Sequence, residues 1–171
     1  MGKIGVFYAS ELGNTELAAK TIGKELGSDV ADVFDISALI STKKFLAYDY
    51  LILGISTWGQ GDLHGEWSDF LERLEKRDLS GKTAALFGMG DQVAYSDLFA
   101  DGMAEVYDFF AQKGAKLVGE WPDEGYNYDA SKALRGGKFV GLVLDEENQP
   151  DLTNTRIRQW LEQIKPEMPM A

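Results

Sequence analysis

The sequence contains no cysteine, which excludes disulfide frameworks, thiolate metal centres, iron–sulfur clusters and cysteine nucleophiles. Its single histidine, His64, disfavours an all-protein catalytic zinc site and leaves one available centre for a Ser-His-Asp triad. No apolar run approaches membrane-spanning length. Cations are scarce: 17 Lys and Arg stand against 28 Asp and Glu, a net charge of −11. Such a surface is a poor partner for nucleic acid or an anionic membrane, since both need clustered cations. It would attract and orient a basic protein, although acidity also serves plain solubility. The opening residues MGKIGVFYAS carry one Lys and run into a strand-like segment, unlike a secretion signal, so a cytoplasmic location is expected.

What is present is a folding composition, with 44% apolar and 12% aromatic residues. A chain of 171 residues fits one domain, 1–171, that buries about 70% of the surface its unfolded form exposes. A monomer is expected.

Apolar, β-branched and aromatic runs predict strands at 3–8, 30–34, 50–55 and 83–87, with two further pieces at 116–120 and 139–144. Between them lie helical patterns. Ala18, Ile22 and Leu26 recur four apart before Gly27, predicting a helix over 14–26. Trp67, Phe70, Leu71 and Leu74 repeat at 0, 3, 4, 7, and Ile157, Trp160, Leu161 and Ile164 do the same near the end. Met103, Val106, Tyr107 and Phe110 form another such stripe, and the segment 37–49 should hold one short helix. Strands alternating with helices argue for an α/β fold: a doubly wound, five-stranded parallel sheet in the order 2-1-3-4-5 with helices on both faces.

In such a sheet a ligand lies beyond the carboxyl ends of the strands, where the loops 9–15, 56–65 and 88–98 leave. The first reads Ser10-Glu11-Leu12-Gly13-Asn14-Thr15 and opens a helix, so free backbone N–H groups and the helix dipole suit an anion. It holds no Lys or Arg and no Walker pattern, favouring one phosphate on neutral donors over a nucleoside triphosphate. The second loop, Ser56-Thr57-Trp58-Gly59-Gln60-Gly61, sets a tryptophan among glycines, where a flat side chain suits stacking on a planar ligand. The third holds Gly90, Asp91 and Tyr95, a second aromatic plate with polar neighbours. Taken singly, each loop has an ordinary structural reading: a helix cap, a sheet-end tryptophan, a half-exposed tyrosine. Together they describe a planar ring with a phosphate tail.

These residues resemble a flavodoxin of the long-chain, FMN-binding type. The likeness spans nearly the whole chain. It rests on the turn at 10–15, Ser56-Thr57-Trp58-Gly59, Gly88-Met89-Gly90-Asp91-Gln92 with Tyr95, the block Ser131 to Leu142, and the acidic run 145–151. The stretch of roughly 121–137 then splits the last strand.

The resemblance implies an electron carrier, not an enzyme: a low-potential one-electron shuttle on non-covalently bound FMN, moving mainly between semiquinone and hydroquinone. The ring would lie between Trp58 and Tyr95. The phosphate would sit on Ser10, Glu11, Gly13, Asn14 and Thr15. The backbone of Thr57 to Gly61 and of Gly90 to Asp91 would meet the ring edge and ribityl chain, with Leu98 and Glu147 nearby. A peptide flip near Gly59-Gln60 would offer a carbonyl to the protonated ring nitrogen. The family usually has a hydroxyl residue at the place of Leu12, so FMN should bind more weakly here. His64 either tunes the potential or is an exposed loop residue.

The enzyme alternative is an FMN-dependent NAD(P)H oxidoreductase of the same fold. Such an enzyme leaves one ring face open to nicotinamide, whereas Trp58 and Tyr95 would cover both. Acidic residues around the site, among them Asp62, Glu66, Asp97 and Glu124, imply transient docking to basic surfaces of redox partners, a reductase and electron acceptors.

Overall fold

The computed structural model describes residues 3–9, 13–58, 62–63 and 65–170, without the side chains of Trp58 and Asp62. A parallel sheet runs through the molecule. Its strands are β1 (Ile4–Tyr8), β2 (Ala31–Asp35), β3 (Tyr50–Trp58) and β5 (Thr83–Met89), with the fifth position shared by β6 (Lys116–Val118) and β10 (Leu142–Leu144). The order is β2-β1-β3-β5 and then the fifth position, as the alternation of elements predicts. β6 pairs with residues 83–85 of β5 and β10 with residues 87–89, so one edge position is built from two pieces of chain. Gly141, just before β10, is forced by this arrangement. A Cβ there would stand 2.2 Å from the Leu86 carbonyl oxygen.

Between β6 and β10 the chain forms a small antiparallel sheet of β7 (Trp121–Pro122), β8 (Leu134–Arg135) and β9 (Lys138–Phe139), in the order β7-β9-β8. The split expected around 121–137 is therefore present. A further short strand, β4 (Asp62–Leu63), pairs antiparallel with the end of β3.

Helices cover the sheet: α1 (Asn14–Leu26), α2 (Lys43–Leu46), α3 (Gly65–Leu74), α4 (Gly102–Gln112) and α5 (Thr153–Ile164). The apolar stripes read from the sequence are the buried ones, since Trp67, Phe70, Leu71 and Leu74 on α3 and Ile157, Trp160, Leu161 and Ile164 on α5 all lie in the core. The short α2 is anchored by Phe45, fully buried with its ring centroid 4.8 Å from that of Phe7 and 5.0 Å from that of Phe70. Such ring contacts add roughly 0.5–1.5 kcal/mol each beyond area burial. Among the described residues, no helix is long and apolar enough to cross a membrane.

β3 and β5 run well past their apolar runs. β3 continues through Trp58, because Thr57 and Trp58 pair with Leu63 and Asp62. β5 runs on to Met89, because Gly88 and Met89 pair with β3 on one side and β10 on the other. Both extensions carry the sheet into the expected ligand loops.

Candidate functional site

At the carboxyl edge β5 and β10 finish level, with Leu144 opposite Met89 and Met89 opposite Ser56, while β1 stops two residues short with Tyr8 opposite Gly54 and β3 runs on to Trp58. The loops leaving them share one edge. Ser10, Glu11, Leu12, Gly59, Gln60, Gly61 and His64 lie outside the described residues, as does the Trp58 side chain.

At the first loop, Gly13 stands at φ +94° and opens α1. A side chain is strained in that left-handed conformation, so glycine is the fitting residue. Having no side chain, Gly13 cannot cap the first turn, and the helix dipole points its positive end into the cleft. Thr15 and Ser56 are both buried, and their hydroxyl oxygens lie 2.6 Å apart. This bond joins the α1 turn to the end of β3. One hydroxyl proton serves the bond, and the other is left to donate elsewhere. The Asn14 amide donates to Glu147 at 3.1 Å.

The second loop is a hairpin at its root, where Thr57 and Trp58 pair with Leu63 and Asp62. The Thr57 hydroxyl faces α4 and accepts the Gly102 N–H at 2.9 Å. Gly102 must be small, since a Cβ would stand 2.9 Å from the Ser56 carbonyl oxygen. Thr57 thus fixes the end of β3 against the head of α4.

In the third loop Gly90 and Asp91 are held by a network of hydrogen bonds. The Gly90 N–H donates to the Leu144 carbonyl at 2.9 Å, and a Cβ would stand 2.7 Å from the Phe99 ring. The Asp91 carboxylate accepts from the Val93 and Ala94 N–H groups and from the Asn148 amide. Burial works against its charge, but the Ala94, Asn148 and Val93 donors outweigh burial and hold the carboxyl below the usual range. Tyr95 closes this turn with its N–H on the Asp91 carbonyl, and Leu98 donates in turn to the Tyr95 carbonyl. Tyr95 is 50% exposed.

Residues that sequence reasoning passed over underlie this loop. Asp145 is fully buried and accepts from the backbone and side-chain N–H groups of Gln92 and of Asn148. The Gln92 side-chain oxygen accepts the Asn127 N–H at 2.6 Å, tying in the insertion. Tyr126 of the insertion donates to the Val143 carbonyl and stacks under the buried Arg156 guanidinium, 4.1 Å from the ring centroid. Near the first loop, Tyr8 donates to Glu16 at 2.9 Å. Burial, followed by the Glu16 bond and charge, raises the phenol's pKa.

None of the stretches 9–15, 56–65 and 88–98 contains Lys or Arg. Neutral donors at a helix head beside a half-exposed aromatic fit a phosphate ester joined to a flat ring.

The flavodoxin family model matches residues 6–160. A flavodoxin from Synechocystis sp. is 47% identical over 97% of this chain and 98% of its own, and flavodoxin 1 of Escherichia coli K12 is 47% identical over 98% and 96%. The crystal structure of Fusobacterium nucleatum flavodoxin bound to flavin mononucleotide superimposes with a TM-score of 0.92 at 37% identity, covering 99% of this chain and 100% of that one. By sequence over its full length and by fold, this chain belongs to the flavodoxin family, whose named members are electron-transfer proteins rather than enzymes.

Proposed function

We propose that the chain holds FMN non-covalently at the carboxyl edge of its sheet and carries single electrons at low potential, between the semiquinone and hydroquinone levels. FMN supplies the redox chemistry when bound. The chain's residues bind it, orient it and set its electrostatic surroundings. In this reading the turn Ser10 to Thr15 takes the phosphate, Trp58 and Tyr95 cover the ring, and the backbone of Thr57 to Gly61 and Gly90 to Asp91 meets its edge. Leu98 and Glu147 lie at the margin.

The observation that carries the reading is the bond between Thr15 and Ser56, which binds a phosphate-suited helix head to the strand bearing Trp58. The FMN-bound Fusobacterium relative, of the same fold, supports it. The cation-free loops support the low potential, because a second electron adds negative charge where nothing offsets it.

Stepwise anaerobic reduction followed by visible spectroscopy tests this. A neutral one-electron-reduced flavin spectrum should form first, with full reduction only at lower potential. Direct two-electron reduction by NAD(P)H would overturn the carrier reading. Leu12→Thr, which restores a hydroxyl donor to the phosphate turn, should tighten FMN binding about tenfold, the equivalent of roughly 1.5 kcal/mol for a charge-assisted hydrogen bond.

We further place the protein in the cytoplasm, as one domain serving basic redox partners in short-lived complexes. Exposed Asp97, Asp123 and Glu124 support this docking, and partner reduction should slow as salt rises.

A further inference from the structure

Asp145 is fully buried at the carboxyl edge, and no cation pairs with it among the described residues. Its charge is met by N–H donors alone: Gln92 N at 3.0 Å, Gln92 Nε2 at 2.7 Å, Asn148 N at 3.0 Å and Asn148 Nδ2 at 2.9 Å. Two arms lead outward. Through Asn148 Nδ2 the network reaches the Asp91 carboxylate at 2.8 Å, which caps Val93 and Ala94, and the Asp91 carbonyl accepts the Tyr95 N–H at 3.0 Å. Through Gln92 it reaches the Asn127 N–H of the insertion.

We propose that Asp145 is a positioning residue for the cofactor ring: it fixes the turn that presents Tyr95 and locks that turn to the insertion. The inference rests on the FMN site proposed above. A carboxylate is required at the hub because every group facing it is a donor. An asparagine there would turn its own NH2 toward N–H groups and leave buried donors unmet. Without the hub, the Tyr95 ring, half in solvent, has only a short turn to hold it, and binding must then fix that turn anew.

The test is a double-mutant cycle on FMN affinity, read by flavin fluorescence quenching in wild type, D145N, Y95A and D145N/Y95A. With Tyr95 present, D145N should weaken FMN about tenfold, as expected for a lost hydrogen bond to a charged group. In the Y95A background the further loss should be under about threefold, since the residue being positioned is gone. In the FMN-loaded protein, the amides of residues 93–95 should exchange hydrogen about tenfold faster in D145N, with those of β1 unchanged.

Equal losses in both backgrounds would overturn the proposal, because Asp145 would then support the fold and not Tyr95. Wild-type affinity in D145N would overturn it too. Asn148 is exposed, so N148A keeps the test alive if D145N fails to fold. It cuts the same arm and should weaken FMN about threefold only when Tyr95 is present. A wild type that takes up no FMN would sink the cofactor reading itself, a result distinct from a wild type that binds while its variants bind equally well.

Discussion

Lys82 and Asp145 are buried charges at opposite ends of adjoining strands, and each is satisfied without a close, buried counter-ion. Lys82 precedes β5 at the amino edge, where its ammonium donates to the carbonyls of Leu46 and Tyr48 at 2.7 Å each. Asp49 stands 3.7 Å away, but its side chain is 75% exposed. Asp145 follows β10 at the carboxyl edge and is met by four N–H groups. The chemistry is mirrored, yet the two charges hold different things. Lys82 pins the end of α2 to the start of β3, which is scaffold. Asp145 gathers three loops of the ligand edge. A buried charge whose hydrogen-bonding capacity is met by neutral groups works as a clamp, and its place on the sheet decides which segments it holds.

The comparison can be broken or sharpened by substitution. Gly141→Ala should have the largest effect, because a backbone carbonyl cannot step aside for the added methyl. It pushes β10 off β5 and carries Asp145 with it, costing about 3 kcal/mol or more of unfolding free energy together with FMN affinity. Urea unfolding and flavin titration of one sample read both. Lys82→Ala comes next, at about 2–3 kcal/mol, for it strands two carbonyls. Its FMN affinity should stay within about twofold of wild type, and a tenfold loss would erase the contrast between the edges.

Tyr126→Phe should cost about 1 kcal/mol at neutral pH through its bonds to Val143 and Trp121. Burial pushes the Tyr126 phenol up to about 12, against the pull of the Arg156 guanidinium and the Trp121 N–H. The neutral phenol is thus favoured in the folded state. Its contribution is full below pH 10 and is lost as pH rises toward 12, on the order of 2–3 kcal/mol. Stability measured between pH 10 and 12 should therefore fall less steeply in Tyr126→Phe than in wild type. Arg135→Ala, which removes the exposed pair with Asp108, should cost about 0.5 kcal/mol or less, and thermal denaturation should hardly register it.

Much of the scaffold was legible in sequence because periodicity reports burial. The helix over 14–26 has the bounds read from its apolar spacing and from Gly27, and the α3 and α5 stripes are the buried faces. The second strand sits one residue later than its apolar run suggests, since Ala31 to Asp35 is what pairs with β1. A candidate site could be nominated where a residue type announces itself, as with Tyr95 beside a glycine turn. It was not legible where chemistry depends on partners far along the chain. Asp145 reads as one more acid in an acidic run, and nothing local shows that Gln92, 53 residues earlier, will meet it. Arg156 reads as a polar helix residue yet is buried under Tyr126. The two-residue strands of the insertion are too short for alternation to show.

The divided fifth strand bears on how this chain keeps apart from its copies. An exposed sheet edge is a template on which another chain can add a strand, with aggregation as the outcome. Here that edge offers three residues at β6 and three at β10, with the backbone leaving the sheet between them. No row of N–H and C=O groups is long enough to guide an incoming strand. At the opposite border, β2 carries Asp32 and Asp35, charges that a second strand would have to desolvate. A sheet whose borders are broken on one side and charged on the other gives an added strand little to build on.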